Sequence, residues 1–164
     1  MSQRILITGG AGFVGSSLAI LFQQHHDNCA VICLDNLKRR GSELSLSRLR
    51  KNGIEFRHGD IRNKEDLEGF GKIDWIIDCS AEPSALAGVN ESPNYLLNTN
   101  LVGTINCLEL ARACESGLLF VSTSRVYPFH AVNSVPYYEQ EHRFAWKPDH
   151  RFAGVTTNGI SEEF

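Results

Sequence analysis

The sequence has no long apolar run and no excess of one charge. No stretch approaches the roughly 20 residues that a membrane-spanning helix needs, and the net charge is only −3 over 164 residues. Neither a membrane span nor an electrostatic footprint for nucleic acid or an anionic membrane surface is expected. Cysteine is sparse and odd in number, at Cys29, Cys33, Cys79, Cys107 and Cys114, with no Cys-x-x-Cys pair. This excludes a disulfide framework and predicts buried, reduced thiols that pack as small hydrophobes. The histidines, at positions 25, 26, 58, 130, 142 and 150, show no metal-ligand spacing with cysteine or acids, and no metal is assigned. Internal repeats and low-complexity segments are missing too. The opening MSQRILITGG lacks the charged, apolar and cleavable parts of a signal peptide, so a cytoplasmic location is expected.

What is present is a hydrophobic content of 42%, enough in a chain of this length for one domain with a real core. The chain is organised around residues 4–24. Arg4-Ile5-Leu6-Ile7-Thr8 reads as a buried parallel strand, followed by Gly9, Gly10, Gly12 and Gly15 and then a helical apolar pattern. Gly10-x-Gly12-x-x-Gly15 satisfies the dinucleotide fingerprint, in which glycines permit a tight turn and close approach of the backbone to a pyrophosphate. Free N–H groups and the positive end of the helix dipole then face the phosphates. A second apolar run, Ala30 to Leu34, ends in Asp35, twenty positions after Gly15. A carboxylate there accepts the ribose hydroxyls of adenosine and repels a 2′-phosphate, which favours NAD over NADP. Arg39 and Arg40, just beyond, pull the other way, since an arginine at that place accommodates a 2′-phosphate.

Further along, Lys38-Arg39-Arg40-Gly41-Ser42 is a basic turn, either a solvated loop or a cover for the adenosine phosphate edge, and Ser42 is placed to cap a short helix through about Lys51. Strands are expected at 54–57, 72–79 and 118–121, a short helix at 64–70 and a long one from Ser92 to about Glu115. On the long helix Leu97, Leu101, Ile105 and Leu108 form one apolar stripe, while Asn98 and Asn100 either face solvent or make a polar contact to a ligand or to nearby backbone. Loops at the carboxyl ends of parallel strands are where such sheets bind ligands. Asp60 and Ile61, then Ser80-Ala81-Glu82, then Ser122-Thr123-Ser124 occupy those places, with Asp60 alternatively a simple cap and the hydroxyls alternatively strand-end satisfiers. Five alternations of strand and helix predict an α/β, Rossmann-type, doubly wound parallel sheet that stops after its fifth strand. From Pro128 the pattern becomes irregular and rich in aromatics, with short antiparallel pairing expected around Arg143 to Trp146. The expected division is therefore 1–127, a dinucleotide-binding domain, and 128–164, an irregular insert.

Taken together, five motifs resemble the nucleotide-sugar epimerases and dehydratases of the extended short-chain dehydrogenase/reductase family. They are Thr8-Gly9-Gly10-Ala11-Gly12-Phe13-Val14-Gly15, Leu34-Asp35-Asn36, Gly59-Asp60-Ile61-Arg62, Asn100-Leu101-Val102-Gly103-Thr104 and Ser122-Thr123-Ser124-Arg125-Val126-Tyr127. Residues 36–42 and the segment after Tyr127 look most like the tyvelose-forming branch, which acts on CDP-sugars. The resemblance implies NAD held by Gly9, Gly12, Phe13 and Val14 at the pyrophosphate, Asp35 and Asn36 at the adenosine ribose, with Arg39 beside it, and Asp60 and Ile61 at the adenine. It further implies Ser80, Ala81 and Glu82 along the middle, Asn100 near the nicotinamide ribose, Ser122 at the next strand end, and Thr123 as the catalytic hydroxyl. Dehydratase members carry Asp-Glu after that hydroxyl, where this chain has Ser124-Arg125. Two further departures stand out: Pro128 replaces the glycine usual after the Val-Tyr pair, and no Tyr-x-x-x-Lys occurs, so the 164 residues alone are expected to bind dinucleotide without turnover. A nucleotide-sugar substrate and a homo-oligomer are implied for a complete enzyme; the alternatives are a 4-epimerase or reductase on another nucleotide sugar, or a non-catalytic dinucleotide-binding sensor or interaction module.

Overall fold

The computed structural model describes residues 2–123 and 126–164. The chain divides into two units, residues 1–121 and 122–164.

The first unit is a five-stranded sheet in the order β3-β2-β1-β4-β5, every neighbouring pair parallel. The strands are β1 (Gln3–Thr8), β2 (Cys29–Asp35), β3 (Glu55–His58), β4 (Trp75–Asp78) and β5 (Gly117–Phe120). The period of two divides β1 between two cores: Leu6 joins Ile32, Leu34, Ile76 and Cys107 on one face, while Ile5 and Ile7 join Ala19, Val31, Cys33 and Ile77 on the other. Helix α1 (Phe13–His25) connects β1 to β2, and α2 (Ser45–Lys51) connects β2 to β3. After β3 the chain crosses to the far side of β1, so the order reverses between β1 and β4. That reversal is the switch point at which sheets of this kind open a ligand crevice.

The long helix runs as α3 (Asn94–Leu97), a π-type turn (Asn98–Gly103) and α4 (Thr104–Cys114). Its buried positions, Thr99, Gly103, Cys107 and Ala111, follow one another every four residues. Leu97, Leu101, Ile105 and Leu108 lie on the other side, each about half exposed.

Three local expectations need correction. Ser42 does not cap a helix; the segment starts with a 3-10 turn (Ser42–Leu44) behind Gly41 at φ 99, because only glycine adopts that bend cheaply. The helix expected at 64–70 is a 3-10 turn over Lys64–Leu67. The fourth strand is shorter than 72–79 because Lys72 and Asp74 are recruited to Arg4: its Nη1 donates to the Lys72 carbonyl at 2.9 Å, and its N–H to Asp74 Oδ2 at 2.8 Å.

The second unit contains a short helix, α5 (Phe129–Ser134), and two small hairpins, β6 (Tyr137–Glu139) with β7 (Phe144–Trp146) and β8 (Val155–Thr156) with β9 (Gly159–Ile160). Antiparallel pairing at 144–146 matches the sequence reading, whereas α5 shows no helical period in the sequence. Its turn is opened by Pro128, whose missing N–H costs nothing at a helix start. Tyr127 Oη donates to the Ile160 carbonyl at 3.2 Å, and the Tyr127 ring meets Phe164 edge-on at 6.0 Å.

Candidate cofactor site at the carboxyl ends of the strands

The glycine bend between β1 and α1 is a cradle made of backbone. Gly9 has φ +63, and a Cβ on it would stand 2.7 Å from the Cys79 carbonyl oxygen and 2.9 Å from the Ser80 nitrogen. Gly15 lies so close to the Gly9 carbonyl that no side chain fits between them. The bend is thus pressed against the end of β4 on one side and the first turn of α1 on the other. Gly12 precedes the helix in extended conformation without a side-chain cap, and the first turn has no acid. The N–H groups of that turn have no acceptor inside the helix, and the dipole adds positive potential there. Phe13 and Val14 project outward, 88% and 45% exposed.

Asp35, at the end of β2, is tied directly to this bend. Its Oδ2 accepts the Ala11 N–H at 3.0 Å and its Oδ1 the Leu37 N–H at 2.8 Å, while Gly10 N–H donates to the Leu34 carbonyl at 3.0 Å. The carboxylate keeps lone pairs beyond these two bonds, since an ionised acid accepts about four. Next to it, Asn36 Nδ2 donates to Asp60 Oδ2 at 2.8 Å. Asp60 also receives both Nε and Nη2 of Arg62, at 2.9 and 2.5 Å. The Arg62 guanidinium holds the Asp60 carboxyl well below the usual carboxylate range, with Asn36 adding to the effect and partial burial opposing it. Ile61 is buried, and Gly103 of the long helix packs against its side chain so tightly that a Cβ would collide. Arg39 is exposed.

At the switch point Thr8 and Asp78 are register partners on β1 and β4. Asp78 is 1% exposed, and the sequence reading passed over it. Its Oδ1 accepts Thr8 Oγ1 at 2.7 Å and the Ser80 N–H at 3.0 Å; its Oδ2 receives Thr104 Oγ1 at 3.4 Å. A carboxylate standing at the end of an otherwise apolar strand, Trp75-Ile76-Ile77, is the signal that would have found it. It fixes Ser80, hence the start of the loop through Ala81 and Glu82. That loop has a second anchor: Glu82 N–H donates to Asn100 Oδ1 at 2.8 Å and Asn100 Nδ2 returns a bond to the Glu82 carbonyl at 3.3 Å. Asn100 sits inside the π-type turn, a rare geometry that recurs at functional sites. Glu82 sends its carboxylate to the Ser84 N–H at 3.0 Å.

These contacts bring Gly9, Gly12, Phe13, Val14, Asp35, Asn36, Asp60, Ile61, Ser80, Ala81, Glu82 and Asn100 to one end of one sheet. Ser122 and Thr123 open the second unit and are exposed, while Ser124 and Arg125 lie outside the described residues. All five cysteines are free thiols, and burial pushes Cys33 and Cys107 up to about 12 and Cys79 to about 11. A hollow of about 660 Å³ opens at the amino ends of the strands, beside Gln3, Phe22, His25, Trp75 and Leu119. It is wide but has neither the free helix amides nor the Asp35 and Asp60 carboxylates, so the carboxyl ends are the candidate site.

Comparison with known proteins gives the chain a family. The chain is 36% identical over 137 residues to the bifunctional UDP-glucose 4-epimerase and UDP-xylose 4-epimerase 1 of Pisum sativum, an alignment covering 77% of this chain and 38% of that protein. It is 37% identical over 131 residues to CDP-paratose 2-epimerase of Salmonella typhi, covering 76% of this chain and 38% of that protein. Among solved structures, the dTDP-glucose 4,6-dehydratase of Bacillus anthracis in complex with NAD superposes with a TM-score of 0.68 at 27% identity, over 90% of this chain and 46% of that one. The chain thus spans about 38% of the length of the curated relatives it matches. Residues 5–151 match the sequence profile of the NAD dependent epimerase/dehydratase family, to which this chain, with its glycine cradle, its Asp35 clasp and its parallel sheet, belongs.

Proposed function

We propose that the chain is the NAD-binding part of a nucleotide-sugar epimerase, most like CDP-paratose 2-epimerase. The observation that carries the cofactor reading is the Asp35 carboxylate clasped to the Ala11 N–H of the glycine bend. This sets an acceptor for ribose hydroxyls beside free helix amides suited to a pyrophosphate. The cradle fits the group: a Cβ at Gly9 or Gly15 would meet backbone where the dinucleotide needs close approach.

In this reading Gly9, Gly12, Phe13 and Val14 offer backbone to the pyrophosphate, and Asp35 and Asn36 take the adenosine ribose, with Arg39 on its outer side. Asp60 and Ile61 flank the adenine; Ser80, Ala81 and Glu82 line the middle; Asn100 meets the nicotinamide end, and Ser122 is a cofactor residue by the family resemblance alone. NAD, when bound, would supply a reversible hydride acceptor for a sugar carbinol. Thr123 hydrogen-bonds the sugar oxygen at that carbinol. A general base is needed for the proton, and no Tyr-x-x-x-Lys is present in these residues. Lacking a base typically removes about 10²–10⁴-fold of rate, so the 164 residues bind cofactor without turnover. Residues 1–127 carry the cofactor, and 128–164 form an irregular insert. Among the described residues no helix is long and apolar enough to cross a membrane, and a cytoplasmic location fits this role.

A 4-epimerase acting on a UDP-sugar is the second reading, favoured by 36% identity to the pea enzyme. The half-exposed stripe of Leu97, Leu101, Ile105 and Leu108 supports self-association, a homo-oligomer in the complete enzyme. Calorimetric titration with NAD and NADP tests the cofactor reading: NAD binds, NADP binds more weakly, and failure of NAD to bind at millimolar concentration overturns it. Sedimentation at increasing concentration tests the stripe, and a monomer throughout overturns self-association.

A further inference from the structure

Tyr95, in α3, carries two cations on its ring. Lys38 Nζ is 2.9 Å from the ring centroid and the Arg62 guanidinium carbon 4.7 Å. The three residues come from three different connections: Lys38 follows β2, Arg62 follows β3, and Tyr95 ends the long passage after β4. Arg62 is held by Asp60 through two bonds, Asp60 is held by Asn36, and Asn36 Oδ1 accepts the Lys38 N–H at 3.0 Å. The contacts therefore close on themselves: Asn36 to Asp60, to Arg62, to Tyr95, to Lys38, and back to Asn36. Asn36 and Asp60 in this circuit are the residues assigned to adenosine above, and Lys38 opens the basic turn beside them, whereas Tyr95 and Arg62 have no part in that assignment.

We propose that the circuit is a latch on the adenosine end of the site, which has to open at Lys38–Tyr95 for a dinucleotide to enter or leave; the proposal rests on the NAD reading. The weak joint follows from the chemistry of the links. Arg62 to Asp60 is a charge-assisted pair through two nitrogens, partly buried, and such pairs are short and strong. Lys38 is exposed on a flexible four-carbon stem, and its hold on the ring is a cation–π contact open to water. Breaking that contact frees the Lys38 side chain from the helix and leaves the loop after β2 held by the Leu37 N–H to Asp35 and the Lys38 N–H to Asn36. Tyr95 thereby sets the rate of exchange more than the equilibrium, since a latch slows entry and exit alike.

The test uses the whole 164-residue chain and NADH as the probe, with release followed by the loss of fluorescence on adding excess NAD. Lys38→Met is expected to speed release about 2- to 5-fold, and Tyr95→Leu, which loses both cation contacts, about 5- to 30-fold. Tyr95→Phe keeps the ring and stays within about 2-fold of the parent. Calorimetric affinity shifts less than the release rate in each case. Lys38→Met, a surface change that leaves the core untouched, also speeds hydrogen exchange at residues 94–97 without any cofactor. NADH released by Lys38→Met and Tyr95→Leu at the parental rate, or unchanged exchange at 94–97, overturns the latch while the cofactor reading stands. A parent chain that binds neither NAD nor NADH overturns both.

Discussion

Replacing Gly9 by alanine should damage this protein in two separable ways, and the structure supplies its own control. Gly9 and Gly53 share almost the same left-handed backbone, φ +63 and φ +69, but differ in what surrounds them. A Cβ at Gly53 meets nothing within 4 Å; one at Gly9 meets the Cys79 carbonyl oxygen at 2.7 Å and the Ser80 nitrogen at 2.9 Å. Forcing a residue with a side chain into that conformation costs roughly 1–2 kcal/mol at either site. Overpacking against backbone that cannot swing aside adds roughly 1–3 kcal/mol at Gly9 alone. Gly53→Ala is thus expected to lose about 1–2 kcal/mol and Gly9→Ala about 2–5 kcal/mol in urea denaturation. The second effect is on binding: relief of the clash pushes Ser80 and the bend apart, so NAD affinity falls in Gly9→Ala and is unchanged in Gly53→Ala. Equal losses of stability in the two variants, with NAD binding intact in both, would refute the claim that the bend is pressed against the end of β4.

Three further outcomes follow from the electrostatics. Asp35→Ala deprives the Ala11 and Leu37 N–H groups of a charged acceptor, which should cost about 1.5–3 kcal/mol in stability or NAD binding; titration should also show NADP gaining on NAD. Asp60 is held below its ordinary range in the fold, whereas unfolded it titrates near 4. Its contribution is therefore present above about pH 4 and fades as pH falls further. Asp60→Asn should lose about 1–2 kcal/mol at neutral pH, a modest value for a pair partly open to water, with the two denaturation curves converging in strong acid. The buried thiols work in the opposite direction: Cys33 and Cys107 titrate at about 12 in the fold and near 8.5 unfolded. The unfolded chain loses those protons first, so stability should decline as pH rises from about 9 toward 12, and alkylation of Cys33 and Cys107 at pH 8 should require urea.

Much of this was legible in the residues because the features in question are periodic or sterically forced. Ile5, Leu6 and Ile7 read as a strand buried on both faces, and the glycine spacing reads as a bend, because few other arrangements of those residues are possible. Asp35 could be singled out by its distance from Gly15, and in the fold its carboxylate accepts the Ala11 N–H. What could not be read was pairwise and long-range. Lys72 and Asp74 look like the start of a strand until Arg4, nearly seventy residues away, claims them. Asp78 looks like a strand-end acid until Thr8, its neighbour across the sheet, donates to it. Tyr95 looks like any aromatic on an amphipathic helix, since nothing local announces that Lys38 and Arg62 converge on its ring. No propensity distinguishes the wide turn at Asn98–Gly103 from the α-helix on either side.

That wide turn has a consequence of its own. Hydrogen bonds spanning five residues instead of four let a helix carry one surplus residue while the ladder before and after it stays regular. A chain that lacks Leu101 can close to an ordinary turn, with Cys107 and Ala111 still lodged against the sheet. What changes is the bearing of Asn100, whose amide swings off Glu82 and releases the start of the loop after β4. Shape and grip are encoded separately in this helix, and one deletion would part them.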